Sequence, residues 1–92
     1  MTREAAEAAV RDYFDGGGFE ADLGRLVAIP TESQTPEGLP HCRRYLEAEM
    51  VPAFEAMGFE TRIFENPLPG CGPVLLATRI EDPALPTILG YG

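Results

Sequence analysis

The sequence predicts an α/β fold in which N-terminal helices pack on a small mixed sheet. Three observations support this. Apolar residues recur at helical spacing up to residue 58, the pattern then changes to the alternation of strands, and 45% of the 92 residues are hydrophobic, which is typical of globular proteins. A chain of this length forms one domain at most, and it buries only roughly 60–65% of the surface that it exposes when unfolded.

Two helices are predicted at the N-terminus. Thr2 can cap a helix that runs to about Phe14, and the glycine triplet at 16–18 ends it and supplies a flexible joint. A second helix is predicted over 19–29, where the apolar residues form one continuous face. Pro30 ends it, because the residue before a proline is disfavoured in the helical conformation.

The third helix carries the strongest periodic signal in the chain. It can begin at Pro36 or at Pro40, and Gly58 is a natural C-terminal cap. Pro52 lies inside it and removes one backbone hydrogen bond, so a kink or a break is predicted near Val51. The apolar positions repeat in steps of three and four: Leu39, Cys42, Leu46, Met50, Phe54 and Met57.

Three strands are predicted after the helices, over 59–64, 74–80 and 87–91, with a proline- and glycine-rich loop over 66–73. The last of them, Thr87 to Tyr91, is apolar on both sides, which is typical of a central strand. One domain, 1–92, therefore divides into an N-terminal helix with a glycine hinge (1–18), two helices (19–58) and three strands (59–92). The second face of the last strand needs further chain or a partner to cover it.

Charge and composition exclude several classes of protein. The net charge is −8 and all seven cationic residues are arginines, so binding to nucleic acid or to an anionic membrane is not expected. The N-terminal residues lack the apolar core of a signal peptide, and no stretch approaches the ~18 apolar residues of a membrane span. Two cysteines do not make a disulfide framework. We therefore expect free thiols and a cytoplasmic location.

No catalytic, cofactor-binding or metal-binding residue is predicted in this chain. His41 is the only histidine, and its neighbour Cys42 points about 100° away on a helix, so the two would not share a metal ion. A thiol nucleophile would need His41 to meet Cys71, which lies in a glycine-rich loop, but nothing in the sequence requires that contact.

The acidic pairs and the glycine runs also favour structural interpretations. The paired carboxylates fall on predicted solvent faces or in turns, and acid–base chemistry requires two carboxylates in different environments. The runs at 16–18 and 70–72 lack the strand-to-helix context of a phosphate-binding loop, and the chain has no lysine to accompany one. The acidic pairs are Asp12 and Asp15, Glu47 and Glu49, and Glu81 and Asp82.

Three segments together resemble a known family. The run L-G-R-L-V-A-I-P-T-E-S at 23–33 is similar to the opening of the zinc-dependent aminoacylase and carboxypeptidase family, which includes acetylornithine deacetylase, succinyl-diaminopimelate desuccinylase and glutamate carboxypeptidase. Residues 45–60, which end in A-M-G-F-E, resemble the next helix and its exit into the first strand. The run P-T-I-L-G-Y-G at 86–92 resembles the strand that leads into the family's His-x-Asp metal motif.

The resemblance implies that the chain is the opening part of a larger three-layer α/β/α zinc-hydrolase domain. Members of the family hydrolyse amide or peptide bonds with metal-activated water and two zinc ions. The histidine and the bridging aspartate would follow Gly92, so no residue here inherits a catalytic or metal-binding role. The parent would be an enzyme acting on a small molecule or peptide, and this chain alone is expected to be inactive. Pro52 departs from the family, whose helix usually continues there.

Two alternatives from other classes stay open on the sequence alone. The chain could be a small acidic interaction module that forms a homo-oligomer by strand addition through the edge strand Thr87 to Tyr91. It could also be a small thiol enzyme that uses Cys71. The size of the particle in solution tests the first, and the alkylation rate of Cys71 tests the second.

Overall fold

A computed structural model describes residues 1–92. Helices α1 and α2 are followed by a 3₁₀ turn, by one long helical segment made of α3, a π-helical stretch and α4, and by an antiparallel strand pair, β1 and β2. None of the helices is both long enough and apolar enough to cross a membrane. In chain order the bounds are α1 Arg3–Asp15, α2 Gly18–Val27, the 3₁₀ turn Pro36–Gly38, α3 Leu39–Arg44, the π stretch Tyr45–Met50, α4 Val51–Ala56, β1 Glu60–Phe64 and β2 Val74–Thr78.

The two predicted N-terminal helices are present, and they contact each other as a hairpin joined at the glycine triplet. The Thr2 hydroxyl accepts a hydrogen bond from the Ala5 N–H at 3.1 Å and so caps α1. The aromatic rings of Tyr13 and Phe14 lie on Phe19, with centroids 6.4 and 5.7 Å away. Helix α2 ends at Val27, slightly before the predicted end at Ile29.

Both predicted starts of the third helix occur in the structure. Thr35 caps a short 3₁₀ turn that begins at Pro36, with its hydroxyl accepting from the Gly38 N–H at 3.2 Å. The α-helix proper begins at Leu39, with Pro40 in its first turn. The two prolines therefore act in succession, because each lacks an N–H that the first turn of a helix would leave unpaired in any case.

The predicted kink or break near Val51 takes a different form. The chain stays helical on both sides of Pro52, and the turn before it widens into a π-helix over Tyr45–Met50. The Val51 N–H then bonds the Leu46 carbonyl, one residue further back than in an α-helix. Such a wide turn shifts the preceding carbonyls away from the proline ring, so the long helix continues.

The long helix ends in a Schellman turn at Gly58, as predicted. Gly58 has a φ of 84°, a left-handed conformation that glycine adopts without strain. The Phe59 N–H bonds the Phe54 carbonyl at 3.1 Å and the Gly58 N–H bonds the Glu55 carbonyl at 3.0 Å. The rings of Phe54 and Phe59 lie 5.3 Å apart across this turn, which fixes the direction in which the chain enters β1.

The sheet consists of β1 and β2 alone and is antiparallel, so the mixed sheet predicted from the sequence is wrong for this chain. Glu60 pairs with Thr78 and Phe64 with Val74. Alternate side chains are half-buried on the face toward the helices, and the other face is exposed. Helix α4 contacts β1, so helices cover one face of the sheet.

The third strand is the main correction to the sequence analysis. Thr87 to Tyr91 has no regular secondary structure and no strand partner, and Ile88 and Leu89 are 95% and 88% exposed. A strand exists only where a neighbouring backbone accepts and donates its hydrogen bonds. Although the composition of this segment favours a strand, no neighbouring strand lies beside it.

The chain encloses very little. Ile29 and Gly38 are the two buried residues. The accessible surface is 7615 Å², whereas a folded monomer of this mass is expected to expose about 5,200 Å². The radius of gyration is 16.0 Å, against about 12 Å for a globular domain of this length. The fold is therefore open, with apolar side chains left on its surface.

Candidate functional site

The densest polar network joins the helical hairpin to the long helix. The Tyr13 hydroxyl donates to the Asp22 carboxylate at 2.5 Å, and Arg25 binds Asp22 at 2.8 Å and Glu49 at 2.9 Å. Tyr13 lies on α1, Asp22 and Arg25 on α2, and Glu49 on the π stretch. Four side chains thereby tie three helical segments together, and each group in the network has a hydrogen-bond partner of matching polarity beside it.

These contacts shift the acid–base equilibria of the network. The hydrogen bond from Tyr13, followed by that from Arg25, lowers the pKa of Asp22 below its usual value. The same hydrogen bond raises the pKa of Tyr13. The bonds to Asp22 and Glu49 raise the pKa of Arg25. These three shifts favour the charge states that Tyr13, Asp22 and Arg25 have at neutral pH, which is what a structural clamp of hydrogen bonds and ion pairs produces.

We expect Tyr13→Phe to raise the pKa of Asp22 toward its usual value. The folded-state pKa is depressed, so this carboxylate contributes stability above its unfolded pKa, and that contribution is lost as the pH falls through the lower folded pKa. The phenylalanine ring keeps the packing on Phe19 and removes only the hydroxyl. A titration of the carboxyl carbons by NMR measures the change. An unchanged Asp22 titration in the variant would show that the tyrosine contact does not exist in solution.

Two further arginines connect the long helix to the sheet. Arg43 on α3 binds Glu47 at 3.2 Å, as the helical spacing predicts, and also binds Glu65, which follows β1. Arg79, just after β2, donates to the Met57 carbonyl at 2.7 Å and pairs with Glu81 at 2.7 Å. The bonds to Glu65 and Glu47 raise the pKa of Arg43. These pairs are solvent-accessible, so they set the orientation of the elements more than they stabilise them.

The loop between the strands is held by one asparagine. The Asn66 amide donates to the Gly72 carbonyl at 3.2 Å, and its side-chain oxygen accepts from the Leu68 N–H at 3.0 Å. This leaves Cys71 exposed at the tip with a free thiol. Gly72 lies against Leu39, so the loop rests on the start of the long helix.

The residues weighed for chemistry in the sequence do not form a common site. His41 and Cys42 are both half-buried on α3, and Cys42 is a free thiol. The two acids of a pair diverge, since Glu47 turns to Arg43 and Glu49 to Arg25. No three histidine, cysteine, aspartate or glutamate side chains converge where they could hold a metal ion.

A cleft of about 420 Å³ lies between β2 and the chain segment that follows it, and it is named here the β2 cleft. One wall is β2 from Leu76 onward, and the other is the 85–89 segment, with Phe59 at one end. Hydrophobic residues make up just over half of its lining, and its charged residues are Arg79, Glu81 and Asp82. Its apolar lining is suited to contact with apolar side chains, and the edge of β2 beside it is suited to backbone hydrogen bonding.

Sequence reasoning missed the clamp formed by Tyr13, Asp22, Arg25 and Glu49, and it also missed the β2 cleft. The spacing of three residues between Asp22 and Arg25 on a helix predicts their ion pair. Nothing in the sequence predicts that Tyr13 on α1 and Glu49 on the long helix join it. The cleft has no sequence signature, because it arises where a predicted strand is not paired. Comparisons of the chain with models of protein families, with curated proteins and with solved structures found no match.

Proposed function

We propose that this chain is the opening part of the catalytic domain of a zinc-dependent hydrolase of the aminoacylase and carboxypeptidase family. The whole enzyme would be a cytoplasmic metallopeptidase or deacetylase that cleaves an amide or peptide bond next to a carboxylate-bearing group. The role of residues 1–92 in it would be to build the scaffold. The observation that carries the proposal is the A-M-G-F-E run at 56–60, which lies where the long helix turns into β1.

The motif residues have structural roles that agree with this proposal. Ile29, in the first motif, is the one buried apolar residue, and Pro30 follows it at the exit from α2. Gly58 provides the left-handed turn of the second motif, and Phe59 closes it against Phe54. The third motif is the apolar segment 86–92. The first two motifs therefore coincide with a point where the chain packs and with a change of its direction, whereas the third is exposed.

The chemistry of such an enzyme is not supplied by this part of the chain. Zinc, when bound in that family, activates a water molecule to attack the amide carbonyl. The donor groups of residues 1–92 do not fit such an ion, because no three of them converge. We therefore assign no step of the reaction to them. The three-layer arrangement, with a second helical layer on the exposed sheet face, also belongs to the proposal.

Titration of the purified chain with zinc by calorimetry tests the scaffold role. We expect no tight site, because a zinc site needs three or four converging ligands. Stoichiometric binding with a sub-micromolar dissociation constant would contradict this role. The family assignment is tested separately by the coding sequence after the codon for Gly92. A histidine codon there, followed two codons later by an aspartate codon, supports the family, and any other pair of codons contradicts it.

A further inference from the structure

The open edge of β2 and the unpaired segment Thr87–Tyr91 are complementary. Strand β2 is hydrogen-bonded to β1 on one side only, so the N–H and C=O groups along its other edge have no strand partner. The backbone of 87–91 makes no backbone hydrogen bond within the chain. The β2 cleft separates the two. Both the β2 edge and the 87–91 segment can pair with another strand. Within one chain, however, residues 79–86 do not bring the two into contact.

The side chains of the segment suit it to pair with a strand. Thr87, Ile88, Leu89 and Tyr91 include the β-branched and aromatic types that favour strands, and none is charged. Ile88, Leu89 and Tyr91 are almost entirely exposed. An exposed, unpaired and uncharged segment of this kind can be recruited as an added strand by the open sheet edge of another chain.

We propose that two copies of this chain associate by exchanging these segments, so that Thr87–Tyr91 of each copy pairs with the open β2 edge of the other. The arrangement is reciprocal and closes on itself as a two-fold symmetric dimer. Apolar side chains of the incoming strand then cover Leu76 and Ile80, which are exposed along the cleft. This dimer goes beyond the proposed function, and the result of the zinc titration neither supports nor contradicts it.

The exposed area fits an interface of this kind. The chain exposes 7615 Å², which is about 2,400 Å² more than a folded monomer of its mass. Dimers that are permanently associated bury about 1,000–2,500 Å² on each partner. The excess is spread over the whole chain and is as large as the area that a stable dimer buries, and the exposed apolar residues of the 87–91 segment and of the β2 cleft contribute part of it.

The charge of the chain gives the dimer a recognisable salt dependence. Each copy carries a net charge of −8, so two copies repel each other at long range. The pairing segments, V-L-L-A-T in β2 and T-I-L-G-Y at 87–91, contain no charge. Salt screens the repulsion, with a Debye length of about 8 Å at physiological ionic strength, and leaves apolar and backbone contacts intact. We expect the dimer to tighten as salt is added.

Sedimentation of the purified chain over a range of concentrations tests the proposal, with Ile88→Lys as the test variant and Val10→Lys as the matched control. Both replace an exposed apolar residue with the same charge, but Val10 is on α1, away from the cleft. We expect wild type and Val10→Lys to dimerise alike, and Ile88→Lys to weaken the dimer by about tenfold or more, because a charge on the strand opposes pairing.

A capped peptide with the sequence of residues 86–92 provides a second measurement that does not depend on any variant folding. We expect it to compete for the β2 edge and convert the dimer to monomer, whereas the same peptide with N-methyl groups at both the Ile88 and Leu89 positions should not, because successive N–H groups face opposite edges of a strand. A wild-type chain that stays monomeric at every concentration overturns the proposal. So does a dimer that both Ile88→Lys and the peptide leave intact, since that dimer would use another surface.

Discussion

Gly38→Ala is expected to destabilise the protein by about 3 kcal/mol, at the upper end of the usual cost of overpacking. A Cβ on Gly38 would lie 1.8 Å from the Glu32 carbonyl oxygen and 2.7 Å from its carbon. These are backbone atoms, so no side-chain rotation relieves the clash. The backbone of Gly38 itself is ordinary, with φ −78° and ψ −22°. The glycine is therefore needed for space and not for its conformational freedom.

The clash would disrupt the turn that starts the long helix. Thr35 bonds the Glu32 carbonyl through both its N–H and its hydroxyl, and its own side chain caps Gly38. Moving Glu32 away from a new methyl group breaks these bonds together. The midpoint of urea unfolding, followed by circular dichroism at 222 nm, measures the loss. Protein concentration must be the same in all samples, because association shifts apparent stability.

Gly24→Ala is the matched control for the same exchange. Gly24 lies inside α2, and nothing is within 4 Å of its new Cβ. Alanine there is expected to stabilise by about 0.5–1 kcal/mol, since glycine is a poor helix former. The two variants should therefore shift the unfolding midpoint in opposite directions. If Gly38→Ala also raised the midpoint, the close approach of Glu32 to Gly38 would be wrong.

Ile29→Ala is expected to cost about 2–3 kcal/mol, the lower part of the range for truncating a buried isoleucine. Ile29 is only 9% exposed and is the one large apolar side chain with the burial of a core residue. In sequence, Ile29 lies after α2 and next to Pro30, in the connection between the helical hairpin and the long helix. The lower part of the range applies because an open structure with so little enclosed volume can partly collapse around the missing atoms.

Val27→Ala controls for the loss of methyl groups. Val27 is 70% exposed at the end of α2, so its truncation should change the unfolding free energy by less than about 0.5 kcal/mol. The comparison uses the same urea titration. Equal effects of Ile29→Ala and Val27→Ala would mean that the burial of Ile29 does not persist in solution, and the interpretation of the first motif as a packing element would fail with it.

Helix positions could be predicted from the sequence because their signals are local. The Thr2 cap, the ends near the glycines at 16–18 and 58, and the proline starts at 36 and 40 depend on residues a few positions away. Strand β1 was indicated by alternation over a short run and β2 by a short apolar run, signals that are also local. The wide turn before Pro52 could be predicted only in part. The proline indicated that the helix is disturbed near Val51, but not that it would widen into a π-helix.

Pairing and proximity were decided only by the tertiary structure. The composition of Thr87–Tyr91 favours a strand, yet a strand needs a neighbouring backbone, and whether one lies beside it is not encoded in the segment. The partners of Arg25 and Arg43 lie on other elements for the same reason. Residue types and local spacing therefore determined where this chain is helical or extended. Which of its edges are open depended on contacts between residues distant in sequence, because hydrogen bonds across a sheet and the burial of apolar surface require two elements to meet.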